Sequence, residues 1–214
     1  MRLKHIVSIR SADCDRRVVR DLRAVPDTKL FRLAKGIFMI SGTLEVEEVT
    51  ALAEALVREA SERQITISTA ESCTGGMIAA FITTVAGSSE VFLGGVVSYS
   101  NDLKMKVLGV SGDTLKTHGA VSEETALEMV RGVRELTGAT LSVSVTGIAG
   151  PGGGSKEKPV GLVFIALKGP EGFEQVVRRW FSGDRMQVRV ETTKEAIRLL
   201  KSRITQMATD NVDP

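Results

Sequence analysis

The chain reads as an α/β protein, a three-layer sandwich of helices around a mixed, mostly parallel sheet. Three observations predict this. Short β-rich runs recur at "ITIST", "LGGVVSYS", "TLSVSVTG", "VGLVFIALKG" and "FEQVVRRWFSG". The early runs alternate with helical patterns. The late runs follow one another directly, which makes the sheet mixed.

Taken in order, "RLKHIVSIRSADCDRRVVRDLRAVPDTKLFRLAKG" has mixed charges, no sustained period, and Pro26 in its middle. It reads as an irregular basic extension over residues 1–43, with at most a short helix near Cys14 to Arg23. Met39 stands just before the first well-patterned helix and is an alternative translation start. From Glu45, "EVEEVTALAEALVREASERQ" sets Val46, Val49, Leu52, Ala53, Leu56 and Val57 on one helical face. "ITIST" follows as a buried strand, "GGMIAAFITTVAG" as an apolar helix, "LGGVVSYS" as a strand and "NDLKMKVLGV" as a short helix. Ser122 is an N-cap with Glu123 and Glu124 in the first turn, where the helix dipole favours acids. That helix runs to about Thr137, with Gly138 as its stop. Two strands flank the loop "IAGPGGGSKEKP". A further strand and the long helix "DRMQVRVETTKEAIRLLKSRITQM" close the chain. No repeat or linker divides residues 44–214, which read as one domain.

Composition narrows the function classes. Hydrophobic residues make up 43% and charged residues 25% of the chain, ordinary values for a globular protein. No apolar run approaches the roughly 20 residues of a membrane span, and no signal peptide opens the chain. Cys14 and Cys73 are too few for a disulfide framework and have no zinc spacing, so a reducing cytoplasm is the expected setting. Ten Lys/Arg against four Asp/Glu fall in Met1–Gly36, leaving 18 against 22 elsewhere. Such a basic leader either touches nucleic acid or an anionic surface, or is simply a solvated tail.

Candidate chemistry begins with a shortage. The chain has 2 histidines, His5 in the leader and His118 in "KTHGAVS", so serine chemistry must use His118 or another base such as a lysine. In "STAESCTGG" a buried strand turns into a helix start, where free N–H groups bind anions and glycines admit a substrate. The alternative is a plain capped corner, with Ser72 or Thr74 as N-cap and Cys73 as a small buried filler. In "VVSYSNDLKMK", Tyr99 is the sole tyrosine and falls where a strand ends. Lys104 follows on the next helix, where burial could lower its pKa toward use as a base; otherwise it is a solvated surface lysine. "VTGIAGPGGGSKEKPVG" is a glycine-dense loop suited to enclosing phosphate, or a flexible hairpin tip; it is not a Walker A loop.

Taken together, "TAESCTGG", "GGVVSYSNDLKMKVLGV", "GAVSEETA", "VTGIAGPGGG", "KPVG" and "FSGDRMQVR" resemble the CinA C-terminal domain family (competence/damage-inducible protein A) over roughly Leu44 to Thr205. The resemblance implies a nicotinamide-nucleotide amidohydrolase that converts nicotinamide mononucleotide to nicotinate mononucleotide and ammonia. It implies Ser72 as nucleophile, with Tyr99 and Lys104 as its catalytic partners. Glu71, Thr74, Gly75, Gly76, Asn101, Thr146, Gly147, Gly150, Gly152, Gly153 and Arg185 are expected to bind substrate. The helix start at Thr74 to Gly76 is expected to receive the oxyanion. Thr146, the glycine loop and Arg185, from its own or a neighbouring subunit, are expected to hold the phosphate. No metal or cofactor is implied. The expected partners are the nucleotide and a second copy of the chain in a dimer, with no membrane or nucleic acid. A non-catalytic nucleotide-binding module is the rival reading, since only an amidase needs Ser72, Tyr99 and Lys104 together.

Overall fold

The computed structural model describes residues 31–32, 38–39 and 43–210, and the chain divides between Leu44 and Glu45 into two units. In the first unit β1 (Phe31–Arg32) pairs antiparallel with β2 (Phe38–Met39), Phe31 opposite Met39. This short pairing falls in a stretch whose sequence reads as irregular. The helix expected near Cys14 to Arg23 lies outside the described residues.

The second unit follows the predicted alternation. Its elements are α1 (Thr43–Glu62), β3 (Ile67–Glu71), α2 (Met77–Thr83), β4 (Phe92–Val97), α3 (Asn101–Leu108), α4 (Gly112–Thr117), α5 (Glu123–Thr137), β5 (Leu141–Gly147), β6 (Leu162–Lys168), β7 (Glu174–Trp180) and α6 (Arg185–Asp210). A 3₁₀ turn, Ser88–Glu90, and α4 are additions that no apolar periodicity announces. The sheet order is β4-β3-β5-β6-β7. β3 pairs parallel with β4 and β5, whereas β5–β6 and β6–β7 are antiparallel, so all strands but β6 run the same way.

Strand periodicity explains the layers, because alternate side chains leave opposite faces. From β5, Leu141, Val143 and Val145 join α1, α2 and α6 in the main core with Leu56, Ile78, Ile82, Ile197 and Leu200. Each such fully buried aliphatic side chain contributes about 1.5–3 kcal/mol. The other face carries small hydroxyls. Ser68 and Ser142 hydroxyls lie 2.8 Å apart, and Ser144 Oγ donates to Ala126 O of α5 at 2.6 Å. These short side chains satisfy one another and let α5 lie close, with Met129 and Val133 packing on Ala70 and Leu108. At Gly132 a Cβ would fall 1.9 Å from Leu108 O, so α5 and the end of α3 touch backbone to backbone.

Helix ends follow local chemistry. Ser100 Oγ accepts from Leu103 N and caps α3, which stops at left-handed Gly109. Ser122 Oγ accepts from Thr125 N and caps α5, which ends at left-handed Gly138, as the sequence predicts. Among the described residues no helix is long and apolar enough to cross a membrane.

Candidate functional site

The site forms where β3 and β4 end side by side. Glu71 stands opposite Val97 in the parallel register, and Ser98 N donates to Glu71 O at 2.8 Å. Ser72 therefore leaves β3 next to the chain that leads into α3. Lys104, one turn into α3, points back and is 1% exposed. Its Nζ lies 2.9 Å from Ser72 Oγ and 2.7 Å from Ser98 O. Burial lowers the Lys104 pKa from its ordinary value, with the neighbouring Cys73 opposing the shift. As an ammonium Lys104 donates to both oxygens. As a free amine it keeps the bond to Ser98 O and its lone pair can take the Ser72 proton.

An open cavity of about 200 Å³ is lined by Ser72, Tyr99, Asn101, Lys104, Thr146, Gly147 and Arg185, together with Cys73, Ala120, Val121 and Ala149. Residues far apart in sequence thus meet at the ends of β3, β4 and β5. Tyr99 is 61% exposed at the rim. Its hydroxyl accepts from Arg185 Nη2 at 2.8 Å, and Arg185 Nη1 donates to Gly150 O at 2.9 Å. Arg185 reaches this cavity from its own chain. The direct 2.9 Å contact leaves Tyr99 out of the path between Ser72 and Lys104.

Several expectations are corrected. Helix α2 starts at Met77, with Gly76 in the left-handed region as its cap. The α2 amides of Ile78 and Ala79 donate to Glu71 Oε2 and Oε1 at 3.1 and 2.8 Å, and Thr74 Oγ1 donates to Oε2 at 2.7 Å. The α2 N-terminus is therefore closed by an internal carboxylate, and neither it nor Glu71 is free for a substrate. Thr74, Gly75 and Gly76 are absent from the cavity lining; Arg189 instead donates to Thr74 O at 2.7 Å and holds this turn from outside. Gly150, Gly152 and Gly153 are not in the lining either, and Gly152 and Gly153 are exposed. Thr146 does line it, but its hydroxyl proton goes to Ala120 O at 2.6 Å.

Burial pushes the Cys73 thiol up to about 12, so it stands un-ionised, with the N–H groups of Cys73 and Thr74 beside its sulfur. His118 faces Glu124 at 3.1 Å and lines no part of this cavity. Among the described residues no group of three or more His, Cys, Asp or Glu is placed to hold a metal ion. Ala120, Val121 and Ala149 fall in the motifs "GAVSEETA" and "VTGIAGPGGG" but have no side-chain chemistry to mark them as lining residues, and Thr146 Oγ1 ties Ala120 O to the site.

A family model for the CinA C-terminal domain matches residues 49–204. The chain belongs to the CinA C-terminal domain family. A CinA-like protein of Thermotoga maritima is 51% identical over 149 residues, 69% of this chain and 36% of that protein. A competence-damage inducible protein of Clostridioides difficile is 40% identical over 197 residues, 92% of this chain and 47% of that protein. The chain thus spans less than half the length of these curated relatives. Among solved structures, competence/damage inducible protein CihA from Agrobacterium tumefaciens superposes with a TM-score of 0.71 at 44% identity, covering 72% of this chain and 94% of that one. A CinA superfamily protein from Escherichia coli gives a TM-score of 0.68 at 33% identity, covering 72% and 89%.

Proposed function

We propose that this chain is a serine amidohydrolase of pyridine nucleotides, turning nicotinamide mononucleotide into nicotinate mononucleotide and ammonia in nicotinamide-nucleotide recycling. The observation that carries the reading is the buried Lys104 amine 2.9 Å from Ser72 Oγ, at a cavity no histidine lines. An amide is a poor electrophile, so its hydrolysis needs an activated hydroxyl, charge stabilisation and a proton for the leaving amine. On this reading Lys104 accepts the Ser72 proton as Oγ attacks the carboxamide carbon. Lys104 then returns that proton to departing ammonia, and water hydrolyses the acyl-enzyme.

Because the α2 N-terminus is closed by Glu71, we assign the oxyanion to the amide that follows the nucleophile, that of Cys73, which lines the cavity. The Tyr99 hydroxyl accepts from Arg185 and keeps its own proton, so it can donate at the cavity rim. Asn101, Thr146, Gly147 and Arg185 are the lining residues for the nucleotide's polar parts. Arg185 is the cation among them for its phosphate. The two-cysteine composition supports a cytoplasmic setting. Leu93, Val97, Leu103 and Val107, exposed apolar side chains on β4 and α3, support a homodimer that sedimentation would detect.

The deciding experiment is ammonia release from nicotinamide mononucleotide by the wild type and Ser72→Ala, with and without chelator. Ser72→Ala loses at least about 10⁴-fold in kcat, the scale of removing a nucleophile, while calorimetry still detects nucleotide binding. Full turnover in Ser72→Ala overturns the serine mechanism, and chelator-sensitive turnover overturns the metal-free one.

A further inference from the structure

The loop that joins α4 to α5 forms one wall of the cavity through Ala120 and Val121. It has no regular structure, and each of its carbonyls from His118 to Val121 accepts from a side chain. Lys158 Nζ donates to His118 O at 2.6 Å and to Val121 O at 2.7 Å. Ser122 and Thr125 hydroxyls donate to Gly119 O at 3.2 and 2.8 Å. Thr146 Oγ1 takes Ala120 O. Thr125 belongs to α5, Ser122 caps it and Thr146 belongs to β5, whereas Lys158 comes from the glycine-rich connection between β5 and β6.

That connection is itself anchored. Ser155 N donates to Lys158 O at 2.8 Å and Lys158 N to Ser155 Oγ at 3.0 Å, a closed turn. Val160 O accepts from Trp180 Nε1 at 2.8 Å, and Gly161 N donates to Ile148 O at 2.8 Å. An ammonium with three donors and no acceptor suits a pair of converging carbonyls. Gly119 between them takes φ +77, the left-handed backbone that favours glycine.

We infer that Lys158 is a positioning residue that ties the glycine-rich connection to the wall of Ala120 and Val121 and so sets substrate affinity. Lys158 touches neither Ser72 nor Lys104, whose separation is fixed by the β3–β4 register and α3. Removing its bonds therefore loosens the wall and leaves the nucleophile–amine pair in place. The effect on turnover rests on the amidohydrolase reading; the effect on the wall does not.

The test compares the full-length wild type with Lys158→Met and Lys158→Arg. For Lys158→Met, KM for nicotinamide mononucleotide rises about tenfold, the scale of one lost charge-assisted hydrogen bond, while kcat stays within about threefold. Lys158→Arg recovers most of the affinity, since it keeps charged donors. Hydrogen exchange without substrate is faster at amides 118–122 in Lys158→Met than in the wild type. Unchanged exchange overturns the tie, and faster exchange with unchanged KM overturns the role in affinity. A wild type that releases no ammonia sinks the amidohydrolase reading, while faster exchange still upholds the tie. If Lys158→Met does not fold, Lys158→Gln replaces it: too short to reach both carbonyls, it is expected to act as Met does, and wild-type KM and exchange in it overturn the proposal.

Discussion

Lys104 Nζ reaches back across the end of β4 to within 2.9 Å of Ser72 Oγ, and the carbonyl of Ser98 holds it there at 2.7 Å. The pair is preorganised by one parallel strand pairing and one capped helix. An amine that would be charged on the surface is 1% exposed here, and burial shifts its balance toward the free base.

A pH dependence follows from the lowered Lys104 pKa, which burial causes. On the proposed mechanism the amine must be unprotonated to act, so kcat/KM for ammonia release is expected to be low on the acid side. It climbs as pH rises through the lowered value. Lys104→Arg, whose guanidinium stays charged, loses roughly 10²–10⁴-fold, the contribution of a positioned base. Stability shares the sign. Between the lowered value and the ordinary lysine value the unfolded chain binds more protons, so this group's contribution rises with pH there. A wild-type rate flat on the acid side would remove Lys104 as the base.

Glu71→Gln separates an internal cap from a substrate contact. Both carboxylate oxygens accept α2 amides, so an NH₂ in place of either oxygen faces a donor. Urea denaturation is expected to show a loss of about 1–3 kcal/mol, the range for an unsatisfied buried polar group. Unchanged stability with a raised KM would return Glu71 to the substrate side.

Gly132→Ala sets two effects against each other. Alanine in a helix interior normally gains about 1 kcal/mol over glycine. Here the added Cβ would fall 1.9 Å from Leu108 O, a backbone atom that cannot swing aside. Overpacking costs typically about 1–3 kcal/mol, so the clash wins and the denaturation midpoint falls. Because α3 carries Lys104, ammonia release falls with it.

Cys73 is expected to resist alkylation in the folded protein. With its thiol pushed up to about 12, it is roughly 10⁻⁴ ionised at pH 8, and the thiolate is the reactive form. In a Cys14→Ser background, iodoacetamide labelling followed by intact mass should leave Cys73 unmodified until denaturant is added. Rapid labelling under native conditions would reopen Cys73 as a nucleophile.

The elements were legible because they depend on local pattern, whereas only the family resemblance joined Ser72 to Lys104, which the fold sets 2.9 Å apart. Alternating Leu141, Val143 and Val145 announced a buried strand, and Ser122 and Gly138 announced the ends of α5. Glu71 misled because its partners, Ile78 and Ala79, become reachable only once the left-handed glycines turn α2 back toward it. The loop glycines misled because composition signals turning capacity, not direction: Gly152 and Gly153 are exposed. The role of the cavity wall was harder to read, since "GAVSEETA" shows only apolar side chains there and Ala120 and Val121 are held by bonds to residues 26 and 37 positions away.

The pairing of Glu71 with Val97 places Ser72 and Lys104 within one short βα–βα segment, ahead of α5. The rest of the cavity lining is shared between that segment, through Tyr99 and Asn101, and later ones: the α4–α5 turn, the end of β5 and the start of α6. The Ser72–Lys104 contact and much of the cavity wall are thereby written into separate stretches of the chain. On the proposed reading, redesign for another amide can rework the α4–α5 turn, the end of β5 and the start of α6, provided the packing of α5 on α3 is kept.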